Sequence, residues 1–181
     1  MSRIIWVYGL IAGAVIVGSI EIGIVLGTGH GQGAVWFGYL VMLAALSLIF
    51  IGVKRYRDLE LGGVIRFATA LGVGLGIALV AGVVYVIGWE AYLWLTHYTF
   101  WDIYSKGVVD AQRASGASAA DITRATNELA VMGKNYAKPL YRMVMTLFEI
   151  LPVGVVIALI SAALLRKSNF LPAHGNRSPT S

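Results

Sequence analysis

Three glutamates, Glu21, Glu90 and Glu149, sit inside stretches apolar enough to cross a bilayer. A carboxylate is expensive in hydrocarbon and is kept there with a partner or a task. If the three meet at one enclosed level, they titrate as a coupled set. That is the chemistry of a proton or cation relay, or of a site for a cationic ligand. Pro152 adds to the third acid: it cannot donate to the carbonyl of Phe148, and Gly154 loosens the same turn. A bent helix with a free carbonyl beside Glu149 is then expected, as in the broken helices at transporter sites. Tyr85 and Trp89 stand at i and i+4, share a helix face, and could line an aromatic pocket. The candidate intramembrane proton, cation or ligand site is therefore Glu21, Glu90, Glu149 and Pro152, with Tyr85 and Trp89 as pocket aromatics. The structural alternative is that the acids hold helices together, through a tyrosine or tryptophan or a base such as Lys138, Arg142 or His97.

The elements that position these acids are four apolar spans, about 4–26, 35–53, 67–95 and 143–165. At a rise of roughly 1.5 Å per residue each reaches about 28 Å or more, enough to cross the hydrocarbon. The third exceeds that need, so it must tilt or protrude. The first is too long for a signal h-region, contains Glu21 and is followed by no small-x-small cleavage site, so it is read as retained. Of the 181 residues 58% are hydrophobic and only 13% charged, with a mean hydropathy of +0.77. A soluble domain carries about twice that share of charge.

Charge placement sets direction. Arg3, the connector from Lys54 to Arg66, and Arg166 with Lys167 flank the spans, and the positive-inside rule puts all three in the cytoplasm. Four crossings bring those segments to one side, so count and charge agree. Both termini are then cytoplasmic, in a multi-pass protein of the cell (cytoplasmic) membrane. In that orientation the three acids lie at a similar depth toward the outer face: Glu21 and Glu90 about 8 Å inside it and Glu149 about 10 Å. Residues 96–142 face outward. Their apolar positions recur at helical spacing on either side of Ser115-Gly116-Ala117. Ser118 precedes Asp121 by three positions, a capping box, and Pro139 suits a first helical turn. This reads as an external helical hairpin, packed on the bundle mouth or lying on the lipid surface. The fold class expected is all-α: a four-helix transmembrane bundle, residues 1–167, with that hairpin between the third and fourth spans. Residues 168–181 form a flexible polar tail.

Helices associate in lipid through close contact and polar pairs. Gly9-xxx-Gly13, Gly23-xxx-Gly27 and Gly72-xxx-Gly76, with Gly74, Ala78 and Gly82, offer such contact either within the chain or in a homodimer. Aromatic residues gather at the outward ends, as an interfacial belt does. The Tyr56-Arg57-Asp58 group reads as a charged interfacial turn, with a partner or anionic lipid as the alternative.

The absent chemistry is equally informative. There is no cysteine, so disulfides, thiolate nucleophiles and cysteine metal sites are excluded. His30, His97 and His174 have no metal-ligand spacing. No P-loop, Gly-x-Ser-x-Gly or dinucleotide fingerprint is present. The net charge of +5 is a topology signal rather than a nucleic-acid footprint.

Several pieces together resemble a known family. They are Tyr8-Gly9-Leu10-Ile11-Ala12-Gly13, Phe50-Ile51-Gly52-Val53-Lys54-Arg55-Tyr56-Arg57-Asp58, Gly62-Gly63-Val64-Ile65-Arg66-Phe67, Tyr85-Val86-Ile87-Gly88-Trp89-Glu90 and Glu149-Ile150-Leu151-Pro152-Val153-Gly154. In this order and spacing they resemble the small bacterial membrane proteins catalogued as domain of unknown function 4199, up to about Lys167. The resemblance implies four membrane helices with a helical insertion before the last, and it implies no activity. Glu90 and Glu149 lie in the matching pieces; Glu21 and the tail do not. The expectation is a non-enzymatic membrane component acting through a partner or self-association. The alternative is a small proton- or cation-coupled carrier using the intramembrane glutamates. The expected partners are the lipid bilayer and a homodimer mate or an unknown membrane protein, with no nucleic acid, cofactor or metal.

Overall fold

The computed structural model describes residues 1–25 and 32–172, with only the backbone at 20–25, 32–35 and 37. Among the described residues seven helices follow one another: α1 (Ser2–Val25), α2 (Gln32–Leu46), α3 (Leu48–Glu60), α4 (Phe67–Leu95), α5 (Phe100–Ala114), α6 (Ala119–Tyr136) and α7 (Pro139–Leu165). Four segments are long and apolar enough to cross a membrane: Ser2–Ser19, Gly38–Glu60, Phe67–Leu95 and Pro139–Leu165. The protein is an all-α membrane protein.

The second span is two helices rather than one. They meet at Ser47, whose carbonyl accepts from the Phe50 N–H three residues on at 3.0 Å and whose hydroxyl donates to the Leu43 carbonyl at 2.8 Å. Such back-bonding competes with the backbone ladder and bends helices. The span then runs on through α3 to Glu60, past the expected end at Val53, because Lys54 and Asp58 pair across one turn at 2.5 Å. The fourth span starts at Pro139, which occupies the first helical turn. There its missing N–H costs no hydrogen bond.

Two seams hold α4 in the bundle, and both are written in small residues. Along α1 the contacts advance one turn at a time: Ile5 against Gly76, Gly9 against Val80, Gly13 against Val84, and Val17 against Gly88. The two helices are therefore parallel, as spans one and three of a four-crossing chain must be. Along α7 the contacts run the other way: Gly74 meets Ala158, Ala78 meets Gly154, and Gly82 meets Ile150. A Cβ added at Gly9 or Gly13 would lie 2.5 Å from the side chain opposite. These glycines exist for helix approach within the chain. Gly72, by contrast, has nothing within 4 Å of a Cβ and takes no part. Gly27, and the surroundings of Gly23, lie outside the described residues.

Helix α3 fills the groove between α4 and α7. Its Ile49 is fully buried and reaches both Gly74 and Gly154. The N-terminus, the end of α3 and the end of α7 meet at one end of the bundle. There the Met1 ammonium pairs with Glu60 at 2.7 Å. Helices α5 and α6 sit at the other end, packed on each other through Trp101, which stacks on Tyr136 with ring centroids 5.0 Å apart. The Ser118 cap is present, its hydroxyl accepting from the Asp121 N–H at 3.2 Å and donating to the Asp121 carboxylate at 2.6 Å. The chain reaches α5 through a turn with two left-handed residues, His97 (φ 52°) and Tyr98 (φ 59°). For side chains with a Cβ this conformation costs roughly 1–2 kcal/mol each.

Candidate functional site

The antiparallel seam of α4 and α7 ends on an ion pair. Two turns beyond the Gly82–Ile150 contact, Glu90 accepts two hydrogen bonds from Arg142, from Nε at 2.7 Å and from Nη2 at 2.6 Å. This is the fork-on-carboxylate geometry that makes arginine pairs strong and directional. Arg142 is 3% exposed, and the Glu90 side chain 19%. The remaining guanidinium nitrogen donates to the Tyr136 carbonyl at 3.1 Å. The Tyr98 and Tyr136 rings stand 5.3 and 5.6 Å from the guanidinium carbon. The strained turn after α4 is what brings Tyr98 there. Helices α4, α6 and α7 are thus tied together around one buried arginine.

Tyr85 and Trp89 part company. Tyr85 is buried, and its hydroxyl donates to Glu149 over a long 3.4 Å. Trp89 turns toward the helix pair, donating from its indole to the Tyr136 hydroxyl at 2.7 Å and packing edge-on to Phe100 at 4.8 Å. Tyr136 is the hub between them. Burial pushes its phenol above the ordinary tyrosine range; the Trp89 hydrogen bond and Arg142 oppose that, while Glu90 and Glu149 push it further up. One phenol therefore feels both carboxylates.

Glu149 itself is exposed on α7, as is Pro152. Helix α7 runs from Pro139 to Leu165 with Pro152 inside it, and a proline nitrogen there has no hydrogen to give the Phe148 carbonyl. Gly154 serves close approach instead: a Cβ there would lie 2.8 Å from that of Ala78. Glu21 falls in the backbone of α1, but its side chain lies outside the described residues, as do His30 and His174. His97 stands in the turn after α4. Among the described residues, no three His, Asp or Glu side chains are grouped so as to hold a metal ion.

Two features escaped the sequence. One is Arg57, fully buried although it stands in the basic cluster at the end of α3. Its Nε donates to Asp58 at 2.7 Å, and its two terminal nitrogens donate to the carbonyls of Leu165, Phe170 and Leu171. It caps the C-terminus of α7, where carbonyls lack helical partners. A lone basic residue in a basic cluster carries no signal that it turns inward. The other is an open cleft of about 950 Å³ between α5 and α6, whose base, the lining nearest the bundle, includes Trp101, Tyr136 and Arg142. Tyr85, Trp89, Glu90 and Glu149 do not line it.

The family model described as "Protein of unknown function (DUF4199)" matches residues 7–167. No curated protein and no solved structure matches the chain.

Proposed function

The chain belongs to the DUF4199 family, and from that premise we propose that it is a non-enzymatic membrane component that works through a partner or by self-association. The observation that carries this reading is the bidentate Glu90–Arg142 pair. Both oxygens of this carboxylate are taken up by charge-assisted hydrogen bonds from one guanidinium, an arrangement that suits fastening helices rather than carrying a proton. The close-packed seams support the same reading. Ala12, Ile16, Ala70, Val73, Ile77 and Ala81 are all buried, and α4 approaches α1 and α7 through glycine contacts of the kind that hold membrane helices together. Basic residues favour placing the end with Met1, Glu60 and Arg166 in the cytoplasm, and with it both termini. Helices α5 and α6 then face outward.

A second reading rests on Glu149. Exposed on α7 with one long hydrogen bond, it is, of the two acids whose side chains are described, the one not bound to an arginine, and it would serve a proton- or cation-coupled carrier in which a second copy encloses the path. Purified protein reconstituted in liposomes separates the two. The component reading expects no proton or cation flux, or a flux that Glu90→Gln and Glu149→Gln both leave unchanged. A flux abolished by Glu149→Gln in a protein that still unfolds at the wild-type temperature would establish the carrier instead.

A further inference from the structure

We infer that the cleft between α5 and α6 binds an anionic amphiphile, a phosphate head group carrying an acyl chain. Neither Glu90 nor Glu149 is among the cleft's lining residues, so this site is separate from both.

The chemistry of its walls is divided. Lys106 on α5 and Lys134 on α6 face the cleft from opposite sides, and neither enters an ion pair among the described residues. Two lysines from separate helices lining one cleft favour an anion in it. The acids on the same walls are unequal opponents. Asp110 is engaged by Arg113 at 3.0 Å, which leaves Asp102 as the one carboxylate with no ion-pair partner facing the space. The lining is also partly apolar: Val109 stands on α5, and Leu129 and Ala130 stand on α6. The volume of about 950 Å³ is at the upper end of ligand sites, roughly 300–1,000 Å³. A bare phosphate would leave most of it unfilled.

Position names the source. Leu93 and Pro139, the last turn of one spanning helix and the first of another, form part of the base. The bundle surface at that level carries Trp94, Leu95 and Leu140, each at least two-thirds or nearly two-thirds exposed at 68%, 66% and 76%. Indole and aliphatic side chains bared together at the end of a span mark the headgroup region. The cleft therefore opens where lipid head groups lie, and a lipid can enter it without leaving the interface. The close fit of α5 on α6 keeps the base shut: a Cβ at Gly133 would collide with the Trp101 indole.

The test is native mass spectrometry of the detergent-purified full chain titrated with phosphatidylglycerol, phosphatidylcholine, glycerol phosphate or inorganic phosphate. The wild type is expected to retain one phosphatidylglycerol, and phosphatidylcholine more weakly. Lys106 and Lys134 are exposed, so the double variant Lys106→Ala, Lys134→Ala keeps its fold. It should lose about tenfold in affinity, as two surface-strength ionic contacts of under 1 kcal/mol each would give. Ala130→Phe, which fills the apolar wall, should weaken binding without changing charge, and Asp102→Asn should tighten it. Equal binding of phosphatidylcholine, or variants that bind like the wild type, would overturn the inference. Displacement of the lipid by glycerol phosphate or inorganic phosphate at comparable concentration would overturn it too, leaving a phosphate site with no use for the chain.

Discussion

Two buried arginines stand at opposite ends of this bundle, and they are held in different ways. Arg142, at the α5–α6 end, meets a carboxylate on another helix in a bidentate fork. Arg57, at the end with Met1 and the close of α7, gives its terminal nitrogens to the carbonyl of Leu165, the last residue of α7, and to those of Phe170 and Leu171 past it, and shares Asp58 with Lys54. At one end a charge answers a charge and fixes helix against helix. At the other a charge answers the orphan dipoles of a helix terminus and fixes a chain end. The first arrangement fails badly when half is removed, because the survivor is a bare ion. The second degrades in steps, because carbonyls near the membrane surface can turn to water.

That difference orders the expected effects. Arg142→Leu leaves Glu90 without its cation and should cost about 3–5 kcal/mol, the usual penalty for breaking a buried pair from one side. Thermal unfolding in micelles would show it, together with earlier proteolysis of α5 and α6. Arg57→Leu should cost less, about 1–3 kcal/mol for carbonyls deprived of a donor. Its signature should be local, with hydrogen exchange rising in residues 165–171 before the rest of the bundle. Arg57→Lys should restore only part, since one ammonium cannot span the carbonyls that a planar fork reaches. An equal, global loss for both arginines would erase the contrast.

The seam between the two ends gives a smaller effect and a built-in control. Gly13→Ala drives a Cβ to 2.5 Å from Val84 and should cost about 1–3 kcal/mol by overpacking. Gly72→Ala meets nothing within 4 Å and should be neutral, or stabilising by up to about 1 kcal/mol from helix propensity. The smallest effect belongs to Tyr136, which lies outside the spans. Burial raises its folded-state phenol above the unfolded value, so its contribution is complete below about pH 10 and is lost as pH rises through the folded value. Tyr136→Phe should therefore flatten part of the alkaline decline in stability, measured from pH 9 to 11. An unchanged slope would mean the phenol titrates freely.

The spans were legible because apolar runs of this length have one physical use. The Ser118 cap and the Pro139 start were legible because each rests on local geometry within a turn. The small-residue ridges were visible as spacing, but their partners were not: a row of glycines at every fourth position looks the same whether it meets α4 of its own chain or another copy. The break at Ser47 has no proline or glycine to announce it. For the acids, Arg142 was one of three bases within reach, and choosing it required the antiparallel register of α4 and α7, fixed only by packing 52 residues apart in sequence. Arg57 was unreadable for the opposite reason. Its neighbours Lys54 and Arg55 make a pattern that usually faces water, and the carbonyls it caps belong to the far end of the chain.

A double-mutant cycle on Glu90 and Arg142 tests most directly whether Glu90 is a fastening acid rather than a moving proton site. Glu90→Leu, Arg142→Leu and the double replacement are compared by thermal unfolding in the same detergent. The pair predicts that the double variant is more stable than Arg142→Leu alone, with a coupling of at least about 2 kcal/mol. Losses that simply add would show that the two side chains do not hold one another, and the fastening role would be withdrawn.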